Sequence, residues 1–203
     1  GFDLIMSMDP HWISTLFGAY VFVKAFFISL GALIILAAIY FIARGESTGL
    51  MPSHFQDVGK LFFAFCLLWA DFFYVHLVVI WYGNIPEETH YLIERTMVQP
   101  WRGMAWTIFI ISFIIPFFVL LNRKIKTRPR FMIGLSSLVL FGIWMEHLLL
   151  LGPIYQHGVT GLPFTIIDIL VTLGFLSLMV FAVQTYFKKL PVLLPGDVAE
   201  RNI

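Results

Sequence analysis

Lys24, Asp71, His76, Glu146, His147 and Asp168 lie inside long stretches of otherwise apolar sequence. Carboxylates and imidazoles exchange protons readily, and burial moves carboxyl groups toward neutral pH. A charge held at membrane depth costs on the order of 3 kcal/mol, so such residues face a bundle interior or a wet cavity. This set of residues therefore points to the handling of protons, ions or the polar head of a lipid-soluble ligand. The competing reading is structural: buried ion pairs and hydrogen bonds lock helices together and move no protons. Both signs of charge are present. Pairs such as Lys24–Asp71 or Lys24–Glu146 would neutralise each other, and spacing alone does not choose between them. Lys24 has the further option of snorkelling to the interface.

The elements that must position these groups are long apolar helices. A hydrophobic content of 60%, a charged content of 12% and a mean hydropathy of +0.89 over 203 residues exceed what a soluble domain of this length can hide. Five stretches have the length needed to cross a bilayer, near 16–43, 58–82, 101–121, 131–151 and 165–187. Pro10, Pro100, Pro129 and Pro163 stand just before spans, where proline is tolerated, whereas Pro116 falls inside the third span and is expected to kink it. Trp12, Tyr20, Trp81, Tyr82, Trp101, Trp106 and Tyr186 gather near span ends, in the positions of an interfacial aromatic belt. The segment 83–100 contains Pro86, Glu87 and Glu88, a good start for a short surface helix; a plain solvated loop is the alternative.

Lys and Arg set the expected orientation. Arg123, Lys124, Lys126, Arg128 and Arg130 crowd one connection that has no acid, which marks it as cytoplasmic. Alternation places Arg44, Lys60, Lys188 and Lys189 on the same side. The opposite side has Arg95 and Arg102 against Asp3, Asp9, Glu87, Glu88 and Glu94. The expected fold is thus an all-α integral membrane protein. An outer segment (1–15) leads into an antiparallel bundle of five transmembrane helices (16–187), and a cytoplasmic tail (188–203) follows. The N-terminus is out and the C-terminus in. An outward start from Gly1, with no signal peptide, is the expectation for the C-terminal portion of a longer chain.

Depth below the outer boundary follows from the helical rise: about 12 Å for Lys24, about 16 Å for Asp71, about 9 Å for His76, about 8 Å for Glu146, about 6 Å for His147 and about 5 Å for Asp168. If the four helices surround one space, that space is a polar cavity in the outer half. The inner half offers only hydroxyls such as Ser136, Ser137, Thr172 and Ser177, so a half-channel is better supported than a complete path. Asp168 lies near enough to the interface for ordinary hydration to explain it. His76 and His147 come from different spans at similar depth, which bis-histidine haem ligation requires, although a hydrogen-bonded core histidine is the commoner outcome. His11, His54, His90 and His157 match no metal motif. A single cysteine, Cys66, excludes a disulfide framework, a cysteine-rich iron–sulfur site and a CxxCH haem attachment. The net charge of +1 and the lack of a basic, aromatic-interleaved soluble patch argue against nucleic acid as a partner.

Two segments are more specific. Met6-Ser7-Met8-Asp9-Pro10-His11-Trp12-Ile13-Ser14-Thr15 leads into the first span, and Ile80-Trp81-Tyr82-Gly83-Asn84-Ile85-Pro86-Glu87-Glu88-Thr89 leaves the second. Together they resemble the C-terminal half of the ActF family, NrfD-like membrane subunits of bacterial alternative complex III. The resemblance implies the last five of ten helices in a bacterial cytoplasmic membrane protein of electron transport. The complex of that family oxidises menaquinol or ubiquinol and passes electrons to outer iron–sulfur and haem c subunits. The paralogous ActC-like subunit holds the main quinol site, and ActF contributes a proton route and scaffold. The implied proton carriers are Asp71, His76, Glu146 and His147, with Lys24 and Asp168 in supporting places; no covalently bound cofactor is implied. A directly quinone-binding NrfD-type subunit, an independent transporter and a purely structural scaffold are the rival readings.

Overall fold

The computed structural model describes residues 1–9, 12–44, 50–155 and 165–189. Pro10, His11, His157, Pro163 and most of the 188–203 tail lie outside the described residues, as do the side chains of Arg44, Glu87, Lys188 and Lys189. A 3-10 turn, Met6–Met8, precedes α1 (Phe17–Arg44) and α2 (Pro52–Gly83). The short α3 (Pro86–Thr96) follows, then α4 (Trp101–Phe109), a π turn (Ile110–Ile114) and α5 (Ile115–Leu121). Four residues of α6 (Arg123–Lys126) lead into α7 (Pro129–Tyr155) and α8 (Ile166–Lys189). No strand occurs among the described residues. Five helical segments are long and apolar enough to cross a membrane, as expected of a multi-pass membrane protein: Phe17–Ala43, Ser53–Gly83, Trp101–Leu121, Pro129–Ile154 and Ile166–Tyr186. In hydrocarbon the helix is the one open-ended element that satisfies its own backbone polar groups.

The boundaries differ from expectation where polar residues belong to a helix. The second helix begins at Pro52 rather than near Val58. Proline is tolerated in its first turn, and His54 Nδ1 accepts a bond from the Met51 N–H at 3.2 Å. It stops where Asn84 takes a left-handed conformation with φ 46°. The fourth span continues past Leu151 and through Pro153 to Tyr155. The 83–100 segment forms a helix opening on Pro86, not a solvated loop, and it is not confined to the surface: its Tyr91 and Arg95 are buried.

The third span is irregular just before Pro116. A five-residue π turn immediately precedes it. In a regular helix the Ser112 carbonyl would take an N–H that residue 116 lacks. Here that carbonyl accepts the thiol of buried Cys66 at 3.5 Å, so a backbone irregularity on one span is tied to its neighbour, α2.

The bundle is built around α1 and α7, which pack extensively on each other; α1 also packs on α2, α7 on α4, and α2 on α5. Without a hydrophobic drive between helices in lipid, close approach depends on small residues and shape. Gly31 of α1 sits where a Cβ would be 3.3 Å from Phe62 and 3.4 Å from Leu140. Gly142 of α7 lies against Ser112 of the π turn, and Gly152 against the Trp101 ring. By contrast, no residue in the apolar window of α8 is buried. Its described tie to the rest is the Trp144 indole N–H donating to Thr172 Oγ1 at 3.0 Å.

The aromatic residues divide in a way their positions did not foretell. Trp81, Tyr82, Trp106 and Tyr186 are exposed, as an aromatic belt requires, but Trp12, Tyr20 and Trp101 are buried in the core. The segment before α1 is therefore anchored in the bundle by Trp12.

A side chain at Gly142 would run into Ser112 Oγ and come within 3.0 Å of Ile111. Gly142→Val is expected to destabilise the bundle by about 1–3 kcal/mol. Gly134→Ala, where a Cβ meets nothing within 4 Å, is expected to be neutral or to stabilise by about 0.4–1 kcal/mol. Thermal unfolding in detergent, read by labelling of the buried Cys66 thiol, separates the two; equal melting would contradict the close α7–π-turn contact.

Candidate functional site

Tyr20 and Lys24 are four residues apart, so α1 presents them on one face. On α2, Trp69 and His76 are two turns apart and share a face. α7 supplies Glu146 between them. The Glu146 carboxylate is 1% exposed and accepts from three side chains on two other helices. Lys24 Nζ donates to Oε1 at 3.1 Å, the Tyr20 hydroxyl donates to the same oxygen, and Trp69 Nε1 donates to Oε2 at 3.1 Å. The Lys24 ammonium, 2% exposed, also lies 5.2 Å from the Tyr20 ring centroid. Lys24 therefore does not snorkel. Of the two candidate pairings, the fold selects Lys24–Glu146.

A cavity of about 70 Å³, enough for more than one water molecule, borders this cluster. Tyr20, His76, Glu146, Trp12, Tyr91 and Arg95 line it, together with apolar residues such as Ile80 and Leu149. His76 Nδ1 engages the Phe72 carbonyl at 2.9 Å, and its Nε2 lies 3.3 Å from Ser14 Oγ. Its ring meets Tyr20 edge-on at 5.3 Å.

The Trp12–Tyr91–Arg95 wall is a stack. The Trp12 and Tyr91 rings are parallel at 3.9 Å, and the Arg95 guanidinium lies 3.4 Å from the Tyr91 ring centroid. Arg95 also donates to the Tyr91 carbonyl at 3.0 Å and to the Leu150 carbonyl at 2.7 Å, joining α3 to α7. Burial pushes the Tyr91 hydroxyl up to about 12, against the opposing pull of Arg95. Burial likewise lowers the Arg95 guanidinium from its ordinary value, while Tyr91, Asp9 and Glu94 act in the other direction. Tyr91 is thus a neutral hydroxyl at physiological pH. Among the described residues, Trp12 Nε1, the Tyr91 hydroxyl and Arg95 Nε are buried without a hydrogen-bond partner. All three belong to residues lining the cavity, so these donors, unmatched among the described residues, lie around it.

The remaining expected site residues are not gathered here. His147 is half-buried on α7 beside Glu146, and its Nδ1 engages the Ile143 carbonyl at 2.8 Å; it does not line the cavity. Asp168 accepts from the Thr165 N–H at 2.9 Å and caps the start of α8, a structural task. Asp71 is exposed on α2, away from the cluster. The four helices do not enclose all six groups because the Asp71 face of α2 points out of the bundle. His90 pairs with Glu94 at 3.2 Å. No group of three or more His, Cys, Asp and Glu capable of holding a metal occurs among the described residues.

Tyr20, Trp69, Trp12, Tyr91 and Arg95 were not singled out as site residues from the sequence. A signal was present: Tyr20 with Lys24 and Tyr91 with Arg95 both show the i, i+4 spacing of side chains that share a helix face. The Tyr20 and Trp12 signals were masked because an aromatic near a span end also fits the interfacial belt.

Lys24→Met alone leaves a buried carboxylate without its cation, and its expected cost is about 3–5 kcal/mol. Lys24→Met combined with Glu146→Leu removes both charges and is expected to recover much of that loss. Thermal unfolding of the two variants in the same detergent is the measurement; additive losses would mean the charges do not depend on each other.

No protein-family model matches this sequence, and no curated protein matches it.

Proposed function

We propose that this chain is a membrane subunit of a quinol:electron-acceptor oxidoreductase of the alternative complex III type, contributing a proton route and anchoring the outer redox subunits. The observation that carries the reading is the Glu146 carboxylate, buried among Lys24, Tyr20 and Trp69 at the edge of a largely apolar cavity. The two motif segments support the same assignment, since they flank this cavity: Trp12 and Ile80 both line it. In this reading the five spans form half of a ten-helix NrfD-like protein in a bacterial cytoplasmic membrane. The N-terminus faces out and the C-terminus in, in keeping with the basic run Arg123–Arg130 at the opposite end of the bundle from α3.

The cavity then opens on the outer side. Tyr20 both lines it and donates to Glu146, so its hydroxyl is the link between the carboxylate and cavity water. His76 stands at the same wall as a second proton acceptor. Lys24 is the counter-ion of the carboxylate, 3.1 Å from Oε1. The partners are an ActC-like paralog, an iron–sulfur subunit and haem c subunits, with menaquinol or ubiquinol as the substrate of the complex. In the intact complex Glu146→Gln is expected to slow proton-coupled turnover by roughly 10²-fold while the subunits stay together. Turnover and proton release at the wild-type level would leave only a scaffold role. Ion flux by the chain alone in liposomes would favour an independent transporter.

A second reading, direct binding of the quinone head, is favoured by the three unmatched donors of Trp12, Tyr91 and Arg95. Tyr91→Phe then weakens quinol binding by about tenfold, the effect of one lost hydrogen bond to a buried acceptor, and KM rises more than kcat falls. An unchanged KM in steady-state quinol oxidation would exclude the cavity as the head site.

A further inference from the structure

Asp71 stands apart from every group in the site. It is exposed on α2, and no hydrogen bond or ion pair engages it among the described residues. The Ser53–Gly83 segment is 31 residues long, so its midpoint is Leu68, and Asp71 lies about 4.5 Å beyond that midpoint. The nearer end of the helix is about 18 Å away. A lysine stem can carry its charge several ångströms to the interface, but an aspartate has one methylene and cannot.

The side chains on the same face are apolar or amphipathic. Leu67 and Leu68 stand one turn before Asp71 and Tyr74 one turn after, 38%, 42% and 64% exposed. The carboxylate is thus the one strongly polar group in a lipid-compatible surface. Facing hydrocarbon it would carry the full penalty of a mid-membrane charge; against a cation most of that penalty is offset.

We propose that this face of α2 is an intersubunit surface whose occupant is a membrane-spanning helix of a different protein, carrying a lysine or arginine at mid-depth opposite Asp71. Charge selects this occupant. A second copy meeting the same face about a two-fold axis would bring carboxylate to carboxylate. The buried cation Lys24 is already engaged by Glu146, so a second copy has no mid-depth partner to offer from that site. The face is continuous and apolar around a single acid, so affinity comes from helix packing and register from the ion pair, the division of labour seen when one polar group sets alignment in a helix pair. This inference does not rest on the quinol-oxidoreductase reading: any membrane partner of the stated chemistry satisfies it.

The test places a photoreactive benzophenone residue at Leu68 or Tyr74 in the full chain, in its native membrane, and maps the adducts by peptide mass spectrometry. The expected adduct is a peptide from a membrane-spanning segment of another protein that contains a lysine or arginine. Asp71→Lys lowers its yield by about tenfold or more, and replacing the mapped cation with aspartate restores it. Asp71→Asn, which keeps the shape of the side chain, serves as the milder variant, with Cys66 protection reporting that the bundle remains folded; it too lowers the yield. Adducts with lipid alone, with a segment of the same polypeptide outside these 203 residues, with a second copy of this chain, or with a helix lacking a cation overturn the proposal. So does a yield that is indifferent to both Asp71 variants in folded protein.

Discussion

The structure depends on one buried carboxylate. Glu146 on α7 needs donors because it is buried, and it takes them from Lys24 and Tyr20 on α1 and Trp69 on α2. Lipid offers no hydrophobic drive to bring these helices together. An unsatisfied charge at this depth, in contrast, penalises every arrangement that separates them. The three donors therefore hold α1 and α2 at the rotation and height relative to α7 that packing sets. Gly31 and Gly142 let the backbones and side chains approach at those rotations.

The same constraint creates the cavity. Tyr20 turns inward to reach Glu146, and the space above it is closed by elements from outside the spans: Trp12 from the segment before α1, and Tyr91 and Arg95 from α3. Arg95 fastens this cover to α7 through the Leu150 carbonyl. At the other end, Lys126 folds its ammonium over the Phe63 ring, 5.3 Å from the centroid. Burial lowers its ordinary pKa, and Lys60 and Arg123 add to the effect. The two ends of the bundle thus differ in kind. One encloses polar groups around a void, and the other presents cations.

Two of the exposed surfaces differ in kind. The apolar window of α8 is wholly unburied, and α2 carries Asp71 outward. An exposed apolar helix suits lipid and needs no protein neighbour. An exposed mid-span acid does not suit lipid, so the two faces carry different implications despite similar accessibility.

The five spans, their all-helical character and the unusual ionisable residues within them were legible in the sequence because hydropathy and length are local properties. So was the irregularity near Pro116, since a missing N–H acts wherever proline falls, and so was a helix start at Pro86. What the sequence could not decide was which charges meet. Lys24 had Asp71 and Glu146 as equal candidates, and the choice rests on the rotation of α1 and α2 against α7, set by packing over the whole bundle. The burial of Trp12 and Tyr20, which share their positions with a surface belt, also became visible only in three dimensions. A residue's type and depth follow from its place along the chain. Its partner depends on the face its helix turns inward, and in lipid that is decided by tertiary contact alone.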